Sequence, residues 1–382
     1  MAYTAVKGGL DAIAAAEALA AGTDQIPGTG RGADGLRLLI DQVMGEGGLY
    51  APDLAALAIG QVEGDPIEAA FLLRAYRSTL PRIGYSIPVP PEALRVRRRI
   101  SSAFKDIPGG QLLGRTRDYT QRLLDIDVGA PALAVGCRNG YFPAPGLPLA
   151  GEETGSSRPV FPKVVDDLRA EGLIAPLPPP TEPEPEPFDI TREAPRYPAP
   201  RSARLQALAR GETGFMVGMA YSVMRGFGAG HPTIAELRVG DIPVRITHPM
   251  TGDPVTVGAV AITEVEGVSH AATGVGGSGA AGFGGDGNET QPDAFTFGYG
   301  VVYGQNERKA IAMAILDLAL SIPGNDGPAA DEEFVLQHCD ALESSGFVEH
   351  LKLPHYVTFQ SQLDRMRFGR LGTLATTTGE RP

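Results

Sequence analysis

This chain of 382 residues reads as an α+β protein, with a mainly helical N-terminal part, a small antiparallel β region around 236–303 and a helical C-terminal part. Three observations point there. Apolar residues recur at helical spacing over much of residues 1–127. Between 236 and 303 that spacing gives way to β-branched and aromatic residues in alternation. After Asn306 helical spacing returns, bracketed by capping residues.

The N-terminal helices are expected at 12–21, which is alanine-rich, and at 36–44, stopped by Gly45, Gly47 and Gly48. A third starts at Asp65-Pro66-Ile67-Glu68, where Asp can cap and Pro suits the first turn, and runs through Arg77. After Pro90-Pro91 a basic helix is expected, carrying Arg95, Arg97, Arg98 and Arg99. Residues 128–200 form a Pro-rich extended connection, its segment 176–187 (PLPPPTEPEPEP) suited to polyproline geometry, with a short helix at 162–171. The C-terminal α+β domain, 201–382, opens with a long helix at 201–224. Strands follow at 244–247, 255–262 and 294–302, with a Gly-rich loop at 267–287. Helices are then expected at 306–320, capped by Asn306, at 331–344, ended by Gly346, and after Pro354.

Composition narrows the function. A net charge of −12 excludes general nucleic-acid binding, which needs a basic surface, but permits a small polyanion in a local cationic pocket. Two cysteines, Cys137 and Cys339, cannot build a disulfide framework or a four-thiolate metal site. The N-terminus shows no secretory h-region, and the apolar stretches 216–224 and 310–320 are too short to span a bilayer. The expectation is a soluble cytoplasmic protein. There is no P-loop, no Gly-x-Gly-x-x-Gly after a strand, no nucleophile elbow and no cysteine cluster.

The sharpest local feature is His350-Leu351-Lys352-Leu353-Pro354-His355. Residues five apart diverge by about 140° on a helix, so the two imidazoles share a metal only if the chain bends, and Pro354 biases Leu353 away from helix. Two imidazoles fall short of a zinc shell, so further ligands must come from His338, a carboxylate or another chain. Surface histidines are the plainer reading.

A second feature is Lys105-Asp106-Ile107-Pro108-Gly109-Gly110-Gln111 after the arginines. Its turn offers backbone N–H groups, and Arg98, Arg99 and Lys105 offer positive charge, together a site for a phosphate chain. Lys7-Gly8-Gly9 is a weaker version. A helix-ending turn beside solvated arginines explains the same residues. Gly-flanked polar segments at 221–228 and 298–309 are less specific still.

Taken in order, many segments resemble the PhnI family of the bacterial carbon–phosphorus lyase machinery. They include Val6-Lys7-Gly8-Gly9, residues 71–77, KDIPGGQLLG at 105–114, Asp118-Tyr119-Thr120, Ala220-Tyr221-Ser222, Gly298-Tyr299-Gly300, Glu307-Arg308-Lys309-Ala310, DEEFVL at 331–336 and HLKLPHYV from His350. The resemblance covers nearly the whole chain; the connection 128–200 and the loop 267–287 depart from it.

The resemblance implies a core complex with PhnG, PhnH and PhnJ as a two-fold hetero-octamer, and association with PhnL. It implies that the subunit, with its partners, displaces adenine from ATP by an alkylphosphonate, giving a ribose 1-phosphonate 5-triphosphate, and acts as a nucleosidase alone. It also implies a zinc ion held by His350 and His355 and shared with PhnJ. Such chemistry builds positive charge at ribose C1′ and needs cationic groups for the triphosphate. Arg98, Arg99, Lys105 and Lys7 are the expected phosphate-binding residues, and Asp106 and Glu307 the candidate catalytic carboxylates. The competing expectation is a non-catalytic scaffold that lends His350 and His355 to PhnJ.

Overall fold

The computed structural model describes residues 9–21, 36–119, 161–174, 186–227, 231–270, 294–322 and 327–377. Its fold is α+β, and it divides into two compact units, Met1–Asp340 and Ala341–Pro382. The N-terminal helices, read from sequence as a domain of their own, share the first unit with the sheet. Most of the polyproline segment and of the Gly-rich loop lies outside the described residues.

Four N-terminal helices are formed: α1 (Gly9–Ala21), α2 (Arg37–Gly47), α3 (Pro52–Gln61) and α4 (Pro66–Thr79). Helix α2 runs through Gly45 and Gly47 and stops at Gly48, whose φ of 68° is left-handed. Asp65 caps α4, accepting from the N–H groups of Ile67 (2.8 Å) and Glu68 (3.0 Å). Helix α3 was not expected from the sequence. It has Pro52 in its first turn and packs Ala55, Ala58 and Ile59 against α2 and α4.

The arginine segment is a strand, β1 (Arg95–Ile100), and not the helix its periodicity suggested. It pairs antiparallel with β2 (Thr233–Thr247), so tertiary pairing overrides local preference. The sheet continues with β3 (Pro254–Ser269) and β4 (Thr296–Tyr303) in the order β1-β2-β3-β4, all antiparallel. Between the first and second strands lies α5 (Val164–Ala170).

Two further corrections divide expected helices in two. The expected long helix at 201–224 is α6 (Arg201–Arg210) and α7 (Thr213–Ser222), followed by a π-turn at Val223–Phe227. Gly211 interrupts it, and Glu212 caps the second half through the N–H groups of Gly214 and Phe215. Likewise the expected 331–344 helix is α9 (Glu332–His338) and α10 (Ala341–Glu349). Between them Asp340 accepts a 2.7 Å bond from Arg74. The first break is local, a glycine followed by a cap, whereas the second lies beside a residue held by a distant partner.

One sheet face packs Leu237, Val239, Val265 and Val302 against α7 and α8 (Glu307–Ser321). Helix α8 approaches β4 very closely. A Cβ on Gly298 would lie 2.2 Å from the Ala314 carbonyl oxygen, and one on Gly300 2.2 Å from that of Ala310.

The opposite face carries a buried charged layer. Arg99, fully buried, pairs through Nε with Glu236 and donates to the carbonyls of Pro108 (2.5 Å), Gly110 (3.1 Å) and Pro162 (2.6 Å). Arg238 Nε donates to Glu264 at 2.8 Å, and Lys163 bridges Glu264 (2.9 Å) and Glu266 (2.6 Å). Burial raises the Glu264 carboxyl, but Arg238 and Lys163 outweigh it and the net pKa falls. At Glu266 burial wins over Lys163, and the pKa rises.

Two outcomes follow from this packing. Gly300→Ala forces α8 off β4 and lowers stability by about 1–3 kcal/mol or more, read as an earlier urea midpoint. Glu236→Ala leaves the Arg99 guanidinium buried beside no carboxylate and costs about 3–5 kcal/mol in the same measurement.

Candidate functional site

Beside the α8 face of the sheet lies a cavity of about 240 Å³ lined by Arg37, Asp41, Arg97, Arg98, Arg115 and Gln305, with Leu19 of α1 at one wall. Each side chain arrives there for a local reason. Arg37 and Asp41 sit one helical turn apart on α2 and pair at 3.1 Å. Arg98 points to this side because the strand pleat alternates, while Arg99 points to the other. A β-bulge between Val96 and Arg98 brings Arg97 to the same cavity. Gly114, with φ of 61°, lets the next segment cross β1, since a Cβ there would lie 2.5 Å from the Arg97 carbonyl oxygen. Gln305 comes from the turn that leads from β4 into α8.

Hydrogen bonds hold these groups in place. Arg98 is almost fully buried; its Nε lies 2.9 Å from Glu307 Oε1, and its Nη2 donates to Asp118 at 2.7 Å. Arg97 Nη2 donates to Asp241 at 2.7 Å. The Gln305 side chain donates to Glu307 (2.8 Å) and to the Arg115 carbonyl (3.0 Å), while its backbone N–H donates to Asp41 at 3.0 Å. Burial pushes the Asp241 carboxyl up, and Arg97 then Arg95 pull against that without reversing it. The N-terminus of α8, capped by Asn306, adds a positive dipole end close to Gln305 and Glu307.

The sequence candidates are distributed unevenly around this geometry. Arg98 lines the cavity and Glu307 is bound to it. Arg99 is one residue away in sequence but belongs to the buried layer beneath the sheet. Lys105 and Asp106 lie exposed on the turn after β1, outside the cavity lining. Lys7 lies outside the described residues. Sequence reasoning missed Arg37, Asp41 and Arg115. The available signal for the first two was a charged pair four residues apart inside the apolar run RLLIDQV.

In the second unit, His350 lies in a 3₁₀ turn (His350–Lys352) and His355 just before α11 (Tyr356–Thr377). Leu353 is extended, with φ −74° and ψ 157°, as the following Pro354 requires. The bend brings the two rings to 5.1 Å between centroids, at 62°. Each Nδ1 faces a backbone carbonyl: His350 that of Phe347 at 2.5 Å, His355 that of Leu353 at 2.6 Å. A carbonyl only accepts, so each Nδ1 carries the proton and each Nε2 lone pair is left for a metal. Both residues are exposed. Among the described residues no group of three or more His, Cys, Asp or Glu is placed to hold a metal ion. His338, in the first unit, stacks on Phe334 at 4.5 Å and directs Nδ1 at the Phe334 carbonyl, 2.7 Å away. The pair therefore offers two of the four ligands that a tetrahedral zinc shell takes.

Known proteins similar to this chain fall in one family. The family model described as bacterial phosphonate metabolism protein (PhnI) matches residues 2–372. A putative C-P lyase subunit protein, HtxH, of Stutzerimonas stutzeri is 50% identical over 379 residues, covering 96% of this chain and 95% of the relative. The alpha-D-ribose 1-methylphosphonate 5-triphosphate synthase subunit PhnI of Escherichia coli is 45% identical over 375 residues, covering 96% and 97%. That of Rhizobium meliloti is 44% identical over 380 residues, covering 96% and 94%. With a match that runs through β1, α8 and the bent histidine segment alike, the chain belongs to the PhnI family of bacterial phosphonate metabolism.

Proposed function

We propose that this chain, as the PhnI subunit of a carbon–phosphorus lyase complex with PhnG, PhnH, PhnJ and PhnL, exchanges the base of ATP for an alkylphosphonate in the cytoplasm. Alone, without its partner subunits, it acts as a nucleosidase. The observation that carries this reading is the cavity where Arg37, Arg97, Arg98 and Arg115 converge near the N-terminus of α8. Guanidinium groups and helix N–H groups are the donors that a triphosphate recruits. At about 240 Å³ the cavity lies below the roughly 300–1,000 Å³ typical of small-ligand pockets. It therefore takes the phosphate-bearing part of the nucleotide and leaves the purine toward the opening, where a departing base can escape.

Within this reading Arg97 and Arg98 hold phosphate oxygens, and Glu307 fixes the Arg98 guanidinium. Lys105 and Lys7 remain proposed phosphate partners and Asp106 a proposed carboxylate. Arg99 keeps the strand in place from the far side.

His350 and His355 would hold zinc through Nε2, with the missing ligands from PhnJ. Such an ion would supply a Lewis-acid centre and a covalent-strength link between the subunits. No helix among the described residues is long and apolar enough to cross a membrane.

The complex is expected to release adenine from ATP when methylphosphonate is supplied, measured by chromatography; no release with all partners present overturns the reading. Arg97→Met removes one charge-assisted bond, about 1.5–3 kcal/mol, and should raise KM for ATP roughly ten-fold or more. Replacing His350 and His355 together by Ala should remove the bound zinc, read by elemental analysis, and abolish carbon–phosphorus cleavage while adenine release persists. If adenine release collapses equally in a still-folded variant, the metal belongs to base exchange instead.

A further inference from the structure

Breaking the bond between ribose C1′ and purine N9 sends its electron pair out with the base, which takes up a proton. The incoming phosphonate oxygen, or a water oxygen, supplies the pair for the new C1′–O bond. Between these events C1′ carries positive charge, and a fixed anion beside it lowers the barrier.

Of the described residues lining the cavity, Asp41 supplies the carboxylate. It is 2% exposed although it lies in the middle of a helix. Its Oδ2 accepts from Arg37 Nη1 at 3.1 Å and from the Gln305 N–H at 3.0 Å, which fixes the plane of the group. The turn beside it is shaped around it. Gly304 has φ of 68°, and a Cβ there would lie 2.1 Å from the carboxylate carbon. Glu307, by contrast, is bound to Arg98 on one side and Gln305 on the other, with Oε1 2.9 Å from Nε and 2.8 Å from Nε2. Its geometry serves to hold an arginine.

We infer that Asp41 is a catalytic residue of base exchange, its carboxylate facing ribose C1′ as the bond to N9 breaks. This rests on the reading of the cavity as the nucleotide site. Arg97, Arg98 and Arg115 then set the triphosphate at one end, and Asp41 meets the sugar. A preorganised charge of this kind is worth about 10²–10³ in rate.

The test uses the complex purified with its partner subunits. Asp41→Asn should lower kcat for adenine release about 100-fold and leave ATP binding, by equilibrium dialysis, within about three-fold of wild type. A cationic iminoribitol 5-triphosphate, which mimics the charged sugar, should bind wild type more tightly than ATP; D41N should lose that preference while the complex stays assembled by size-exclusion chromatography. Asp41→Glu should recover part of kcat. A D41N complex that keeps kcat within a few-fold, or loses ATP binding in step with kcat, overturns the assignment. If D41N does not assemble, the iminoribitol preference of D41E decides it: a preference equal to that of wild type supports the role, and no preference in either protein overturns it. The underlying reading fails separately, when R97M binds ATP as wild type does.

Discussion

The pleat of β1 governs this molecule. Adjacent side chains of a strand leave it on opposite sides, so the arginine run of β1 is divided rather than pooled. Arg98 goes to the cavity and Arg99 to the buried charged layer, where Glu236 and the carbonyls of Pro108, Gly110 and Pro162 take up its donors. Desolvating a guanidinium costs several kcal/mol unless every donor is met. Arg99 fulfils that condition, and in doing so it pins the loop after β1 and the segment before α5 to the underside of the sheet. The cavity lies on the other side of the strand so anchored.

Inside the cavity the positive charges are already balanced. Arg37 pairs with Asp41, Arg97 with Asp241, and Arg98 with Glu307 and Asp118. A chain with net charge −12 can thus present arginines to one polyanion without becoming a general binder of nucleic acid. In the proposed reading a triphosphate would exchange carboxylate partners for phosphate ones, and selectivity would rest on placement of the donors more than on their number. Burial raises the Asp241 carboxyl, and Arg97 and Arg95 hold that rise back. In the second unit the bent histidine pair spends each Nδ1 on a backbone carbonyl.

Much of the fold was legible in the sequence because its signals are local. Asp65 and Asn306 are caps that act within a few residues, and both open helices where expected. Pro354 bends the chain by its own ring, and the two histidines meet as that bend requires. What could not be read depends on partners far along the chain. RVRRRI has helical spacing of its arginines, and only pairing with β2 makes it a strand. Asp340 ends a helix because Arg74, 266 residues away, reaches it. Asp41 faces the cavity because of Gln305, 264 residues away. The family resemblance implied the chemistry, but which arginine reaches the cavity is decided by strand geometry that the sequence does not announce.

The most direct measurement is a structure of the assembled complex with a non-hydrolysable ATP analogue and a phosphonate. The account places the triphosphate within hydrogen-bonding distance of Arg97 and Arg98, with the ribose turned toward Asp41 and Arg99 undisturbed against Glu236. A nucleotide seated instead on the outer face of the Lys105–Gly110 turn, with the cavity filled only by water, would contradict it.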